Sequence, residues 1–374
     1  MLLEVRLKRY IASCDVCVIS GTFMKYIIRE KQMHESKYNA GSKARCDIER
    51  ILENSGVTLR DLVYETSTGG NVFKKVLLHF KCCKEWNNCT KDFGRGDEVI
   101  IQLPIRNHTV FFKSVVGKMI KRGAKVTGVV HDLEALRGSL RKDTGFQKKI
   151  RISLEETAVL KMLSKIVVHN SVMKEKLHVL YGIDADKMSC IEIFDYLASE
   201  ERIGTDGSHK DTVVIAGNLS KKKVGYVYSL PNDVKFELFG AGYEGNEDRD
   251  NVKYMGKFEP DELPGKLQGG FGLVWDGPSA GSCTGVYGEY MRINNPHKTS
   301  LYLASSIPVI VWKEAAIADF VQKNHCGITI ESLSDISGVI GTMPFEEYDR
   351  LRENAVMIGK KLKAGNYTKA ALIG

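Results

Sequence analysis

Short apolar runs rich in β-branched residues recur along this chain, and the stretches between them carry the periodicity of helices. KYIIRE from Lys25, EVIIQLP from Glu98, KVTGVV from Lys125 and KIVV from Lys165 are such runs, and TVVIA, KFELF, FGLVW and IPVIVW follow further on. A strand that is apolar without alternation is covered on both faces, and strands joined through helices run parallel. KARCDIERILENSG, SVMKEKLHVLYG and AAIADFVQKN supply helical patterns, the first two ending at a glycine. Parallel βαβ units therefore limit the possible folds more than any other feature.

The pattern falls into two series. Residues 24–197 make the first, closing on MSCIEIFDYL as a final strand, and the polar, turn-rich ASEERIGTDGSHKD at residues 198–211 reads as a linker. Residues 212–345 make the second series, and in residues 346–374 a long helical run is expected to cross back toward the first domain. Met24 stands immediately before the first strand, so residues 1–23 read as an N-terminal appendage that the fold does not require. A chain of 374 residues, 43% of them hydrophobic, can fill two cores. The expected class is α/β, with two Rossmann-like domains facing each other across a cleft.

The net charge of +8 is spread along the chain rather than packed into a block, which argues against a nucleic-acid partner and suits an anionic substrate or an acidic surface. No run of about 18 apolar residues is present to span a bilayer. Nine scattered cysteines lack the density of a secreted disulfide framework and read as reduced thiols, which places the chain in a cytoplasm. Cys14 and Cys17 have zinc spacing and Cys82, Cys83 and Cys89 cluster, yet no second pair completes a four-ligand set, so no metal site is assigned.

FELFGAGYEG, from Phe236, imitates a dinucleotide fingerprint. After Gly245 the polar NEDRDN leaves no room for the helix such a fingerprint opens, so Gly240, Gly242 and Gly245 are read as shaping a loop at a strand end. NNPHKTSLYL, from Asn294, is more informative. Asn295 as N-cap and Pro296 at the first helical position put His297, Lys298 and Thr299 in a first turn, where free N–H groups attract an anion. The strand FGLVW ends at Asp276 just before a glycine-rich loop, expected to act as a mobile lid over that turn. Lys298 then offsets charge on a diphosphate leaving group, the alternative being an ordinary capped helix with a solvated lysine.

VVHDLEALRGS, IEIFDYL, AGNLSKKK, FGLVWDGPSAGSCTGVYGEYMRINNPHKTSLYL and PVIVWKEAAIADFV resemble, in order and spacing, bacterial β-1,6-galactofuranosyltransferases of O-antigen synthesis. The resemblance extends to the streptococcal glucosyltransferases that lengthen glycans on serine-rich adhesins. It implies a GT-B glycosyltransferase with a UDP-sugar on the C-terminal domain and a glycan or lipid-linked glycan acceptor on the N-terminal one. It also implies that Asn218, Lys221 and Lys298 contact the diphosphate, and that no metal or other cofactor is used.

An inverting transfer needs a base for the acceptor hydroxyl. Asp132, at the carboxyl end of KVTGVVHD, is the candidate, with Glu134 in reserve; an N-cap for the next helix is the alternative role of Asp132. His131, Arg137, Gly41 and Ser42 are assigned to the acceptor pocket. FFKSVVGKMIKRGAK, from Phe111, is basic and amphipathic and either packs on its sheet or rests on an anionic membrane at the inner face of the cell. A second copy of the chain stays open as a partner. Galactofuranose is the expected sugar, glucose or galactopyranose the alternatives, and a non-catalytic UDP-sugar-binding subunit the rival from another class.

Overall fold

The computed structural model describes residues 24–33, 42–65, 72–140, 145–198, 209–245 and 249–374. The N-terminal sheet contains β1 (Lys25–Gln32), β2 (Thr58–Tyr64), β3 (Glu98–Leu103), β4 (Lys125–Val130), β5 (Lys165–Val168) and β6 (Met188–Cys190). Its strands are all parallel in the order β2-β1-β3-β4-β5-β6. The C-terminal sheet contains β7 (Thr212–Ala216), β8 (Lys235–Phe239), β9 (Val252–Gly256), β10 (Phe271–Val274), β11 (Val309–Trp312) and β12 (Gly327–Ile330). Its order is β12-β11-β10-β7-β8-β9, again parallel throughout.

Strand order reverses between β1 and β3 in the first sheet and between β7 and β10 in the second. Each reversal opens a crevice at the carboxyl ends of the strands, where open α/β sheets hold their ligands. The uninterrupted apolar runs are what make this possible: Val99, Ile100, Ile101, Val126 and Val129 in one sheet, and Val213, Val214, Leu273 and Ile310 in the other, are fully buried between helical layers.

Helix α1 (Lys43–Asn54) follows β1, α2 (Val72–Thr90) packs beside β2, and α3 (Phe112–Lys121) lies against α2 and β4. The apolar face of α3 is spent on the core, since Phe112, Val115, Val116 and Met119 are buried, so of its two expected roles the packing against the sheet is the one seen. Two short helices, α4 (Glu134–Ser139) and α5 (Phe146–Ile152), follow β4. In the second domain α6 (Gly285–Tyr290) and α7 (His297–Ala304) follow β10, and α8 (Phe345–Lys363) packs on α7.

The chain then returns to the first domain through α9 (Asn366–Leu372) rather than through the long α8. Asp195 accepts hydrogen bonds from the N–H groups of Tyr367 and Thr368 at the start of α9, at 3.3 and 2.6 Å. Lys25 and Lys165 donate to the carbonyls of Leu372 and Ala371 at its end, at 2.6 and 2.7 Å. Negative charge at the amino end and positive at the carboxyl end both complement the helix dipole. Burial pushes the Asp195 carboxyl up to about 6, against the bonds from α9.

MSCIEIFDYL departs from its expected form as one strand. Pairing stops at Cys190, Glu192 takes a left-handed φ of 68°, and residues 191–198 leave the sheet to run between the domains. Residues 1–23 and most of the expected linker lie outside the described residues.

Tyr302 of α7 joins helix to sheet in the second domain. Its hydroxyl accepts from the Ala216 N–H at 2.7 Å, while its ring lies on Gly272, where an added Cβ would meet ring carbons at 2.1–2.6 Å. Gly272→Ala should therefore lower stability by about 3 kcal/mol through overpacking, measured by urea denaturation. An unchanged midpoint would mean that the ring moves aside freely.

Candidate functional site

The reversal between β7 and β10 gathers the residues assigned to an anion. Gly217 and Asn218 follow β7, Asp276 follows β10, and Lys298 sits in the first turn of α7. The Lys298 ammonium donates to Asp276 Oδ1 at 2.7 Å and to the Trp275 carbonyl at 3.2 Å. A Cβ on Gly217 would lie 3.6 Å from Lys298 Cε, so the β7 turn lies against the lysine side chain. Burial lowers the Lys298 pKa and Asp276 opposes that shift. Lys223 stands 3.9 Å from the other Asp276 oxygen.

The turn itself is fixed by its own polar groups. Asn218 Oδ1 accepts from the Ser220 N–H at 2.9 Å, and the exposed Lys221 lies over the Tyr228 ring at 5.5 Å. Gly240 has φ 147° at the end of β8, and a Cβ there would strike the Gly217 carbonyl at 1.7 Å. Gly242 packs on Ser220, where a Cβ would lie 3.1 Å from the amide nitrogen. The imitation fingerprint thus brings two strand ends together, as a loop-shaping role requires.

His297, Lys298 and Thr299 open the helix as expected, and the capping by Asn295 is corrected. Helix α7 begins at His297 with Pro296 in the capping position, and no side chain caps it. Asn295 instead ties the domains together. Its Nδ2 donates to the carbonyls of His169 and Glu192, its Oδ1 accepts from Asn170 at 2.6 Å, and its N–H donates to His169 Nδ1 at 2.9 Å. His297 turns away from Lys298 to stack on Tyr196 at 5.0 Å, and burial takes its pKa down to about 4. Thr299 is fully buried and its N–H is already bonded to the Pro296 carbonyl.

The glycine-rich loop after Asp276 is fastened rather than free as a lid. Trp275 donates to the Ser279 carbonyl at 3.0 Å, the Leu333 N–H to the Ala280 carbonyl at 2.9 Å, and Gly277 closes against Thr284.

Asp132 emerges just beyond the carboxyl end of β4 and forms an ion pair with Arg137 of α4. The Arg137 guanidinium lies over Tyr290 at 5.1 Å and Tyr287 at 5.9 Å, both on α6 of the other domain. Lys223 reaches the same Tyr287 ring at 6.0 Å. A continuous line of contacts therefore runs from Asp132 through Arg137, Tyr287, Lys223 and Asp276 to Lys298, across the cleft. Tyr287, Tyr290 and Lys223 had not been singled out in the sequence, although tyrosines three apart on a helix share one face. Glu134 is committed to Lys148 at 2.5 Å and to Arg137 at 3.7 Å. Helix α4 takes its cap from elsewhere: the Glu156 carboxylate accepts the Glu134 and Ala135 N–H groups, and burial raises its pKa to about 7. Asp132 is thus not the N-cap.

The second reversal, between β1 and β3, holds a cavity of about 300 Å³ whose walls include Glu30, Arg45, Glu49, Gln102 and Arg106. Ser42 immediately precedes α1 and is not among the residues that line this cavity, and Gly41 lies outside the described residues. Gln102 connects the cavity to the cleft. Its amide N–H donates to Glu49 at 2.8 Å and its amide oxygen lies 2.7 Å from His131 Nε2. A carboxylate can only accept, so it fixes the amide orientation, and the amide oxygen in turn requires the proton on His131 Nε2. Burial holds His131 neutral, which leaves Nδ1 as an acceptor, with no partner for it among the described residues. Phe194 stacks on the imidazole at 5.2 Å.

Above the Glu49 pKa of about 7, nitrogen-15 NMR of histidine-labelled protein should show His131 in the Nε2–H form. Gln102→Met should release it to a mixture, and unchanged shifts in that variant would contradict the relay. Among the described residues no group of three or more His, Cys, Asp or Glu is placed to hold a metal ion. No described helix is long and apolar enough to cross a membrane.

Comparison with known proteins agrees with this geometry. The glucosyltransferase 3-like N-terminal domain matches residues 24–193 and the corresponding C-terminal domain residues 213–374. The β-1,6-galactofuranosyltransferase WbbI of Escherichia coli K12 is 33% identical over 90% of this chain and 94% of its own. Glucosyltransferase 3 of Streptococcus gordonii is 27% identical over 75% and 79% of the two chains. Among solved structures, WaaG, a glycosyltransferase of lipopolysaccharide biosynthesis, superposes with TM-score 0.53 at 12% identity, covering 94% of this chain and all of its own. A UDP-forming trehalose-phosphate synthase from Burkholderia vietnamiensis does so with TM-score 0.56 at 8% identity, over 92% and 98%. Two parallel-sheet domains, each with its crevice at the strand ends, and a family match over nearly the whole described chain lead to one conclusion: this protein is a GT-B glycosyltransferase of the glucosyltransferase 3-like family.

Proposed function

We propose that this enzyme transfers galactofuranose from UDP-galactofuranose, with inversion, onto a glycan acceptor in cell-surface polysaccharide synthesis at the cytoplasmic face. The observation that carries the proposal is the line of contacts from Asp132 to Lys298, which sets a carboxylate of one domain across the cleft from a lysine of the other. WbbI, 33% identical, supports the sugar, since it is named for the same transfer.

In this reading the diphosphate lies against Lys298, the Asn218 turn and the exposed Lys221 and Lys222. Lys223 and Lys298 share a single carboxylate, Asp276, so the crevice favours an anion even with Lys298 paired. A diphosphate arriving beside Lys298 competes with Asp276 for the ammonium, and the negative charge that builds as the leaving group departs strengthens the new contact. The acceptor occupies the N-terminal crevice. Asp132 accepts the proton of its hydroxyl as that oxygen attacks the anomeric carbon, with Arg137 holding the carboxylate in place until substrate displaces it. Neutral His131 offers Nδ1 to a neighbouring hydroxyl. No step requires a metal or another cofactor, because lysines and the α7 start supply the positive charge.

Incubation with a panel of UDP-sugars and alkyl glycoside acceptors, read by mass and linkage, should give a β-glycoside from UDP-galactofuranose alone. Asp132→Asn should lower kcat by at least about 100-fold with little effect on donor binding. A product only from UDP-glucose would replace the sugar. Retained turnover in the asparagine variant would remove Asp132 as the base.

A further inference from the structure

The packing of α1 on the first sheet contains a polar gap. Alternation along β1 puts Ile27, Arg29 and Lys31 on the face that α1 covers. Ile27 is buried with Ile48 and Leu52 of α1 in one apolar cluster. Opposite Arg29 and Lys31, α1 instead presents Cys46, Glu49, Arg50 and Glu53, whose spacing of three, four and seven residues makes one helix stripe. No apolar pair closes helix and strand together there, and the cavity of about 300 Å³ is the space between them.

The wall indicates what would fill it. Much of its charge is settled within the protein: Arg29 and Lys31 both bind Asp61, at 2.6 and 2.7 Å, and Glu30 accepts the N–H groups of Arg106 and Asn107 at 2.8 and 2.7 Å. Among the described residues the Glu49 carboxyl has one hydrogen bond, from Gln102 at 2.8 Å, and no ion pair. Burial raises its pKa to about 7, so near neutrality it is divided between a form that only accepts hydrogen bonds and one that also donates. Arg50 and Glu53 are exposed beside it, the one a donor and the other an acceptor. An anion would meet Glu49 and Glu53, and a cation would meet Arg29 and Arg50, whereas a neutral ring of hydroxyls finds both donors and acceptors. The volume is at the small end for ligand sites and suits one such ring.

The cavity adjoins the proposed base. Gln102 is part of its wall, and the same amide lies 2.7 Å from His131, the neighbour of Asp132. We propose that the cavity is a subsite for a second sugar of the acceptor, the unit that precedes the one whose hydroxyl is placed at Asp132. The substrate is then a glycan end of at least two rings, the last beside His131 and the one before it between Glu49 and Arg50. Its use in transfer rests on the transferase reading; saccharide binding in the cavity does not.

Two measurements test this. Kinetics with UDP-galactofuranose compare methyl glucoside and methyl galactoside with methyl maltoside, isomaltoside, lactoside and melibioside as acceptors. At least one disaccharide should have a KM about tenfold or more below that of either monosaccharide, with kcat nearly unchanged, because contacts remote from the reacting hydroxyl are alike in ground and transition states. Cys46→Phe, which fills the cavity from its wall, and Arg50→Ala should each remove that advantage while leaving the monosaccharide constants and UDP binding as in the parent. The second measurement needs no turnover. Cys46 is exposed on the wall, and its alkylation by iodoacetamide, mapped by mass spectrometry, should be slowed by at least one disaccharide and by neither monosaccharide. Equal KM values for one ring and two, or an advantage that survives both substitutions, would overturn the proposal. If no acceptor is used at all, the transferase reading fails; slowed labelling of Cys46 would then keep the subsite, and labelling indifferent to every saccharide would remove it.

Discussion

The second domain is organised around a buried lysine. Removing an ammonium from water is unfavourable, and Lys298 is held there because Asp276 and the Trp275 carbonyl receive its protons. Those partners exist only because β10 ends beside α7, and β10 lies there because Tyr302 pins α7 to β7 across Gly272. The β7 turn lies along the lysine and is backed by Gly240, where a Cβ would strike the Gly217 carbonyl. A cation that is buried, paired and placed at a strand-order reversal is poised to exchange its partner for a substrate anion.

The two domains are joined by polar contacts concentrated at few points. Asn295 reaches into the first domain from just before α7, so the element that carries Lys298 is also the one that grips His169, Asn170 and Glu192. Helix α9 adds a second tie through Asp195, Lys25 and Lys165. Tyr287 and Tyr290 close the cleft side against Arg137. Donor and acceptor machinery are thus oriented by the same residues that hold the domains together, which couples substrate binding on either side to the cleft geometry.

The sequence was most legible where a structural requirement is local. Uninterrupted runs such as FGLVW announce central strands because burial on both faces admits only apolar residues; Asp276 is readable because it ends such a run, and Lys298 because Pro296 marks a helix start. TLRDLVY escaped notice as β2 because it is an edge strand with polar positions facing out. MSCIEIFDYL misled because its later apolar residues serve the domain seam, not the sheet. Asn295 has the chemistry of a helix cap, and only partners more than 100 positions away show that it binds elsewhere. The Glu49, Gln102 and His131 relay is likewise invisible in sequence, since its members lie on three separate elements and meet only after the sheet has formed.

The central claim, that the β7–β10 crevice holds a nucleoside diphosphate through Lys298, is tested most directly by calorimetric titration of UDP into the protein and into Lys298→Ala. The account predicts one saturable site in the parent and at least about tenfold weaker binding in the variant, equivalent to about 1.4 kcal/mol. Equal affinities in the two proteins, or no heat of binding in the parent, would contradict it.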